Sequence, residues 1–246
     1  MKGLELTSRD CSLFKYLHEH KVATNKQINR DIFKVYHSVL GRRLKKLRNA
    51  NFIEESRRDH NGDKSIIFNL GKRGYDHVTK EHPDQYLIQR YKSNSIDHDL
   101  RLVDVKNVFS KKSFVTGYWT ENILQTSLEI ADDELLSQFR IFQFDALLRL
   151  DNRKGSHVLC GLEYEASSKS QSDYEKKLSL LYRHDYLKAV LYICKSQQVE
   201  GVIKRIESKC NEGQEGKIYY ALFSNVLSAG QSVTFKNLNG HIIEIR

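Results

Sequence analysis

This chain has almost no proline, and its cysteines do not occur in closely spaced pairs. Pro83 is the only proline among 246 residues. The four cysteines, Cys11, Cys160, Cys194 and Cys210, lie far apart, with neither a CxxC spacing nor a Cys/His spacing typical of a metal site. The sequence therefore supports neither a disulfide framework nor a zinc site, and we expect reduced, mostly buried thiols.

Long apolar runs and common nucleotide-binding motifs are missing as well. No run approaches the ~20 apolar residues that cross a bilayer, and the segment Met1–Asp10 is too polar for a signal peptide. We therefore expect a cytoplasmic protein, associated with the nucleoid or a plasmid, that has no membrane partner. The absence of GxxxxGKS/T, GxGxxG and GxSxG motifs argues against the P-loop, dinucleotide-binding and α/β-hydrolase classes.

Positive charge is concentrated at one end of the sequence. Residues 1–80 contain 18 Lys and Arg against 9 Asp and Glu, whereas residues 81–246 contain 22 of each. Excess Lys and Arg on one compact unit attract a polyanion and release its counterions. We therefore predict a nucleic-acid-binding domain over residues 1–80, a linker over 81–94 around the single proline, and a neutral domain over 95–246.

The basic segment has the residue pattern of a winged helix-turn-helix domain. Thr7 or Ser8 is a suitable N-cap for a first helix and Thr24 for a second, and Leu40, Leu44 and Leu47 form one apolar stripe on a third. A strand, a polar turn and a second strand follow. The first predicted helix follows its cap and ends near His20, the second covers Asn25–Phe33, and Ser38 opens or lies within the third. Strands Phe52–Ser56 and Ser65–Leu70 follow, around a turn at Arg57–Lys64.

This arrangement suits duplex DNA, because an α-helix fits the major groove while a wing reaches the flanking phosphates. The alternative interpretation of the basic helix is a solvated surface. Residues near the start of the third helix are the expected base readers, namely Tyr36, His37, Ser38, Gly41, Arg42 and Lys45. The further DNA contacts are predicted at Arg43, Lys46, Arg48, Arg57, Arg58 and Lys64.

The remaining sequence predicts an α/β domain with a mixed sheet, so the overall class is α+β or α/β. Strands are expected over Ile141–Leu150 and His157–Ala166, paired as a hairpin, and three carboxylates interrupt them: Asp145, Glu163 and Glu165. Such a buried cluster needs protonation, paired cations or a metal ion, and Mg²⁺ prefers these oxygen ligands. The alternative is that the carboxylates are exposed at a strand end or form salt bridges with Lys169, Lys176 or Lys177.

These motifs resemble the core of the PD-(D/E)XK nuclease superfamily and, more broadly, the replication-relaxation family of plasmid and mobile-element proteins. The resemblance rests on the winged-helix pattern and on four short segments. These are His98-Asp99-Leu100, Phe144-Asp145-Ala146-Leu147-Leu148-Arg149-Leu150, Leu162-Glu163-Tyr164-Glu165 and Lys176-Lys177-Leu178. The resemblance implies a winged-helix domain fused to a mixed-sheet, nuclease-like domain.

One position departs from the nuclease pattern. Glu165 stands where active members of the superfamily have a lysine, and an acid cannot replace that cation. Either Lys169 or Lys177 reaches in from the following segment, or the site is degenerate. If the site is active, the resemblance implies Asp145 and Glu163 as ligands of Mg²⁺ or Mn²⁺ and one of these lysines as the electrostatic helper.

The leading hypothesis is a duplex-DNA-binding protein that acts in transcription control or replication initiation of a plasmid or mobile element and needs no cofactor for DNA binding. Its C-terminal domain would be a degenerate nuclease used for homodimerisation or for contact with a replication or mobilisation protein. The alternative is a metal-dependent DNA endonuclease or nickase targeted by the winged helix. A third hypothesis, an adaptor whose basic helix binds an acidic protein, leaves the basic wing without a role.

Overall fold

The computed structural model describes residues 4–60, 63–81, 93–151, 155–211, 213 and 215–246, without the side chains of 58–60 and 63–65. The chain divides into two compact units, Met1–Asp104 with Gln125–Asp133, and Val105–Leu124 with Glu134–Arg246. The predicted linker 81–94 lies almost wholly outside the described residues, and the predicted domain boundaries stay predictions. Among the described residues, no helix combines the length and the apolar character needed to cross a membrane.

The first unit contains the predicted winged helix-turn-helix. Its elements are α1 (Ser8–His20), β1 (Ala23–Thr24), α2 (Asn25–Ile28) continued by a π-helical turn (Asn29–Phe33), α3 (His37–Asn49), β2 (Ile53–His60), β3 (Asp63–Leu70) and α4 (Lys72–Glu81). Capping boxes at Thr7 and Thr24 begin α1 and α2. Leu40, Leu44 and Leu47 are buried on the inner face of α3, within an apolar core that also contains residues of α1, so the predicted apolar stripe is confirmed.

The wing differs from the sequence prediction in its length. The predicted turn Arg57–Lys64 is largely strand, because β2 and β3 stay paired from Ile53 opposite Leu70 to His60 opposite Asp63. β1 adds a third strand, and the order in this sheet is β1-β3-β2. Alternating polar side chains do not prevent pairing in a solvated hairpin, which explains why the polar segment still forms strand.

The second unit is built on a seven-stranded mixed sheet. In chain order the remaining elements of the chain are α5 (Ile96–Phe109), β4 (Val115–Thr120), α6 (Glu121–Thr126), α7 (Leu128–Asp132), α8 (Glu134–Ser137), a 3-10 turn (Gln138–Phe142), β5 (Ala146–Asp151), β6 (His157–Glu165), α9 (Gln171–Arg183), β7 (Ala189–Cys194), α10 (Gln197–Cys210), β8 (Ile218–Leu222), α11 (Phe223–Ser228), β9 (Val233–Lys236) and β10 (Ile242–Ile245). Of these, α7 and the first part of α5 belong to the first unit. The strand order is β10-β9-β8-β7-β6-β5-β4. Only the central strands β6, β7 and β8 run parallel, and every residue of β7 is buried. The predicted α+β class with a mixed sheet is confirmed.

The start of β5 corrects one predicted strand. The prediction placed a strand over Ile141–Leu150, but the chain is helical up to Phe142 and the strand begins at Ala146. Gln143 adopts a left-handed conformation with φ of 50°, which reverses the chain between the two elements. Asp145 therefore lies immediately before the strand, where its backbone oxygen accepts a hydrogen bond from the Glu121 amide at 2.8 Å.

A buried hydrogen-bond network fixes α9, the helix that carries Lys177. The Glu207 carboxylate of α10 is fully buried. It accepts hydrogen bonds from the hydroxyls of Tyr182 on α9, at 2.5 Å, and Tyr220 on β8, at 2.7 Å. Because both carboxylate oxygens have donors, the buried charge is satisfied. This network holds α9 in place relative to the sheet.

Candidate nucleic-acid interface and carboxylate site

The outer face of α3 is polar, basic and accessible. The side chain of Tyr36, which precedes the helix, is 86% exposed, and that of Val39 is 42% exposed. Val39 was not predicted as a candidate contact, although its place beside the leucine stripe, rather than on it, is readable from the sequence. The exposed residues of this segment are Tyr36, His37, Ser38, Val39, Gly41, Arg42, Lys45, Lys46 and Asn49. We call this set the outer face of α3.

Two predicted DNA contacts already bind carboxylates within the protein. Arg43 points towards α1, where its Nε donates to Asp10 Oδ1 at 2.9 Å and its Nη2 also contacts the same carboxylate. Arg48 Nη1 lies 2.6 Å from Glu55 Oε2. Both arginines are only partly exposed. The structure thus separates them from the freely exposed basic residues of α3.

The wing carries one described basic side chain among the three predicted there. Arg57 on β2 is exposed, and its backbone pairs with Ile66 on β3. The side chains of Arg58 and Lys64 lie outside the described part of the chain. The backbone register places Arg58 opposite Ser65 and Asp59 opposite Lys64. These three predicted phosphate contacts stay predictions.

The three carboxylates of the second unit lie close together where β5 begins and the neighbouring strand β6 ends. Glu163 and Glu165 are each only 2% exposed, and alternation along β6 places them on one face. Asp145 is partly exposed and accepts a hydrogen bond through Oδ2 from the Tyr164 amide at 2.7 Å. Its charge acts on both glutamates. The strand prediction for Asp145 was wrong, but the expected meeting of the three side chains occurs.

Both lysine candidates reach this cluster. Lys177 Nζ on α9 lies 2.6 Å from Glu163 Oε1, and Lys169 Nζ lies 2.6 Å from Glu165 Oε1. Lys176, the neighbour of Lys177, is exposed. One helical step separates the two side chains by about 100°, which directs them to different faces. The cluster therefore contains three carboxyl groups and two ammonium groups.

Burial dominates the electrostatics of the cluster. It raises the pKa of Glu163 to about 8, against the opposing effect of the Lys177 charge and with a further increase from Asp145. Burial also raises the pKa of Glu165, although the hydrogen bond from Lys169 opposes this. Two lysines are thus insufficient to favour full ionisation of the three acids. A cation bound at this place would favour the ionised form of these acids.

Tyr192 adds an unexpected polar atom to this site. It lies opposite Glu163 in the parallel β6–β7 register, so both side chains project from the same face of the sheet. Its hydroxyl is fully buried and has no hydrogen-bond partner among the described residues. Sequence reasoning missed Tyr192 because it stands within an apolar strand run. A buried hydroxyl beside carboxylate oxygens fits a bound water or a hydrated hard cation such as Mg²⁺.

Comparisons with known proteins give one family and one partial structural similarity. Two solved structures of mutant forms of ZitR from Lactococcus lactis are 27% and 26% identical over 32% and 34% of this chain, each with a TM-score of 0.27. They are matched over 52% and 54% of their own length, so this chain spans about half of them. The search of curated proteins finds no match. A family model described as replication-relaxation matches residues 14–188, well over half of the sequence, and the chain therefore belongs to the replication-relaxation family.

Proposed function

We propose that this protein binds duplex DNA through the outer face of α3 and the wing, and acts in transcription control or replication initiation of a plasmid or mobile element. The family fits a DNA-binding, replication-related role. The observation that carries the proposal is the accessibility of Arg42, Lys45 and Lys46 beside Tyr36 on one helix of a winged-helix unit. Side chains at the start of such a helix read bases, and basic residues further along meet phosphates.

The chain offers a matched pair of variants to test this proposal. Arg42→Ala/Lys45→Ala removes two positive charges from α3, and Arg205→Ala/Lys209→Ala removes two exposed positive charges from α10. Binding of the full chain to labelled duplex DNA is measured at several salt concentrations. We expect only the α3 variant to lose affinity at every salt concentration, and its preference for one duplex sequence over another to weaken, because Arg42 and Lys45 are expected base readers.

Equal weakening by both double variants would show that net charge, rather than the outer face of α3, determines binding. Unchanged binding by the α3 variant would overturn the proposed interface. Thermal unfolding of both double variants checks that they still fold. Substitutions at exposed positions of this kind alter the free energy of unfolding by less than about 0.5 kcal/mol.

In this proposal the second unit serves dimerisation or contact with a replication or mobilisation protein. The ion pairs of Lys177 with Glu163 and Lys169 with Glu165 support a structural role for the carboxylates, because they partly neutralise the cluster without any metal. Sedimentation of the full chain with and without DNA tests the dimer. A monomer under both conditions would remove dimerisation from the proposal and leave partner contact.

A second candidate function is metal-dependent cleavage or nicking of DNA. The observation that favours it is that Lys177 and Lys169 reach the cluster, which supplies the cation missing from position 165. Asp145 and Glu163 are the residues that would hold Mg²⁺ or Mn²⁺, and the bound ion would supply Lewis-acid chemistry. Lys177 would then stabilise developing negative charge, while the buried Glu165 would hold Lys169 in place.

Cleavage is tested with supercoiled and linear duplex DNA in Mg²⁺, Mn²⁺ or EDTA, on gels that resolve both cutting and retardation. If the protein is a nuclease, Asp145→Ala and Lys177→Met abolish cutting but keep retardation, whereas Lys176→Met, at the exposed neighbouring position, keeps both. Retardation without any cutting in Mn²⁺ would reject this second function and leave the DNA-binding proposal intact.

A further inference from the structure

Three side chains of different ligand types meet between α1 and α4 in the first unit. Cys11 Sγ on α1 lies 3.4 Å from His77 Nε2 on α4, and the same nitrogen lies 3.1 Å from Glu81 Oε1. All three atoms lie within 4.8 Å of one another. Cys11 and His77 are partly buried, and Glu81 is exposed. We call this group the Cys11 cluster.

Protons alone cannot satisfy both contacts of His77 in full. If Nε2 accepts the thiol proton of Cys11, it has no hydrogen to donate to the Glu81 carboxylate. If Nε2 carries a hydrogen and donates it to Glu81, that nitrogen can no longer accept the thiol proton of Cys11. A cation placed between the three atoms resolves this conflict, because sulfur, nitrogen and oxygen then all act as electron-pair donors.

The distances also suit a tetrahedral metal ion. Bonds of about 2.3 Å to sulfur and about 2.0–2.2 Å to nitrogen and oxygen place ligand atoms roughly 3.3–3.6 Å apart. The separations of 3.4 Å and 3.1 Å from His77 are close to these values. A thiolate and an imidazole select Zn²⁺ and similar transition ions over Mg²⁺, which prefers oxygen ligands alone.

We propose that Cys11, His77 and Glu81 form a Zn²⁺ site that joins α1 to α4 and leaves the fourth position for water. The Phe14 ring packs edge-on against His77, with ring centroids 5.5 Å apart, and so orients the imidazole. Asp10, the neighbour of Cys11, holds Arg43 of α3. The ion therefore braces the helix against which the proposed DNA-binding helix is anchored. This site is independent of the carboxylate cluster and does not depend on DNA binding.

This site was not predicted from the sequence, because Cys11 and His77 are 66 positions apart. Only His77 and Glu81 are near in sequence, with the i,i+4 spacing that places two side chains on one face of a helix. A cysteine on a separate helix completes the set, and that meeting depends on tertiary packing.

The test uses the full, tag-free chain after metal removal, titrated with Zn²⁺ against a chromogenic chelator and with Co²⁺ as a spectroscopic probe. We expect one ion per chain, with a thiolate-to-Co²⁺ charge-transfer absorption. Cys11→Ser should abolish that absorption, and Glu81→Gln, at an exposed position, should raise the Kd for Zn²⁺ at least roughly tenfold without unfolding the chain. Cys210→Ser, a second partly exposed thiol, is the matched control and should change neither measurement.

Three results would overturn the proposal. One is the absence of stoichiometric Zn²⁺ binding to the full chain, and another is a Co²⁺ spectrum that keeps its thiolate absorption in Cys11→Ser. The third is unchanged Zn²⁺ affinity in both Cys11→Ser and Glu81→Gln. Excess Mg²⁺ is included to separate this site from the carboxylate cluster, since it should leave the Co²⁺ absorption unchanged. Displacement of the stoichiometric Zn²⁺ by excess Mg²⁺ would assign the ion to oxygen ligands elsewhere and reject the site.

Discussion

Arg43 on the proposed DNA-binding helix neutralises the buried carboxylate of Asp10 on α1. Arg43 Nε donates to Asp10 Oδ1 at 2.9 Å, and Arg43 Nη2 also donates to the backbone oxygen of Glu5 at 2.8 Å. Burial alone would raise the pKa of Asp10, but hydrogen bonds from Arg43 and Thr7 outweigh it and hold the pKa below its ordinary value. This pair therefore fixes α3 to α1, and Arg43, a basic residue of the proposed DNA-binding helix, has a structural role.

We predict that Arg43→Ala lowers the free energy of unfolding by about 3 kcal/mol, because the buried Asp10 charge loses its partner. Arg42→Ala, one position earlier on the exposed face, should change it by less than about 0.5 kcal/mol. Urea denaturation at pH 7 measures both. Similar stability of the two variants would show that Asp10 does not need Arg43. If the prediction is correct, weaker DNA binding by Arg43→Ala reports damage to the fold as well as a lost contact.

The pH dependence of stability should reveal the buried His18. Burial lowers the pKa of His18 from 6.5 to about 4, so the imidazole stays neutral in the folded protein while the unfolded chain takes up a proton below pH 6.5. The unfolded state then binds more protons, and stability falls as the pH decreases from 6.5 towards 4. We predict a loss of about 3 kcal/mol over this interval from this residue.

Denaturation of His18→Leu and of the control His241→Gln at several pH values tests whether His18 causes this loss of stability. In His18→Leu the free energy of unfolding should decline less between pH 6.5 and 4. His241→Gln changes an exposed histidine and should keep the decline of the unchanged protein. The low pKa of Asp10 does not interfere, since its contribution is present above its ordinary value of 3.8 and is lost only at lower pH. A decline that persists in His18→Leu would assign the effect to another group.

Local sequence signals predicted the winged helix well because its elements are determined by near neighbours. Thr7 and Thr24 begin their helices through contacts three residues away, and the leucines of α3 repeat at helical spacing. The concentration of positive charge in residues 1–80 can likewise be read from the sequence without knowledge of packing. For this part of the chain, composition, caps and periodicity all indicate the same structure.

The carboxylate site was only partly predictable, because it depends on contacts between distant elements. The aromatic segment before Asp145 has the composition of a strand, yet tertiary packing makes it helical and Gln143 reverses the chain. Lys177 was named as a candidate, but its 2.6 Å approach to Glu163 requires the packing of α9 on the sheet. Tyr192 gave no signal, since a tyrosine in a buried strand usually contributes its ring to the core.

Close packing of Phe144 on Gly161 should make that glycine irreplaceable. A Cβ on Gly161 would lie 2.4 Å from the Phe144 ring, and Phe144 is fully buried. We predict that Gly161→Ala lowers the free energy of unfolding by about 1–3 kcal/mol through overpacking. Since Phe144 precedes Asp145, the substitution should also shift the carboxylate site. If the DNA-cutting activity exists, it should fall along with stability.

Gly201→Ala is the matched control for this prediction. Gly201 lies inside α10, where an added Cβ would meet no atom within 4 Å. The free energy of unfolding should therefore rise by about 0.5–1 kcal/mol, since alanine is the better helix former. Chemical denaturation of both variants gives the comparison. Equal effects of the two substitutions would reject the packing argument for Gly161.

Tyr36 should contribute to base recognition and hardly at all to stability. Its side chain is 86% exposed, so removal costs the folded protein few contacts. An aromatic ring left in water at the start of α3 can stack on or pack against base edges, and each specific base contact is worth about 1–3 kcal/mol of discrimination. We predict that Tyr36→Ala alters the base preference at one or two positions of the binding site, while Tyr36→Phe keeps the ring and therefore most of the preference.

Selection from randomised duplex DNA, followed by affinity measurements on the selected sites, compares the three proteins. Identical preferences and affinities for wild type and Tyr36→Ala would place base reading elsewhere on the outer face of α3, with Arg42 and Lys45 as the next residues to test.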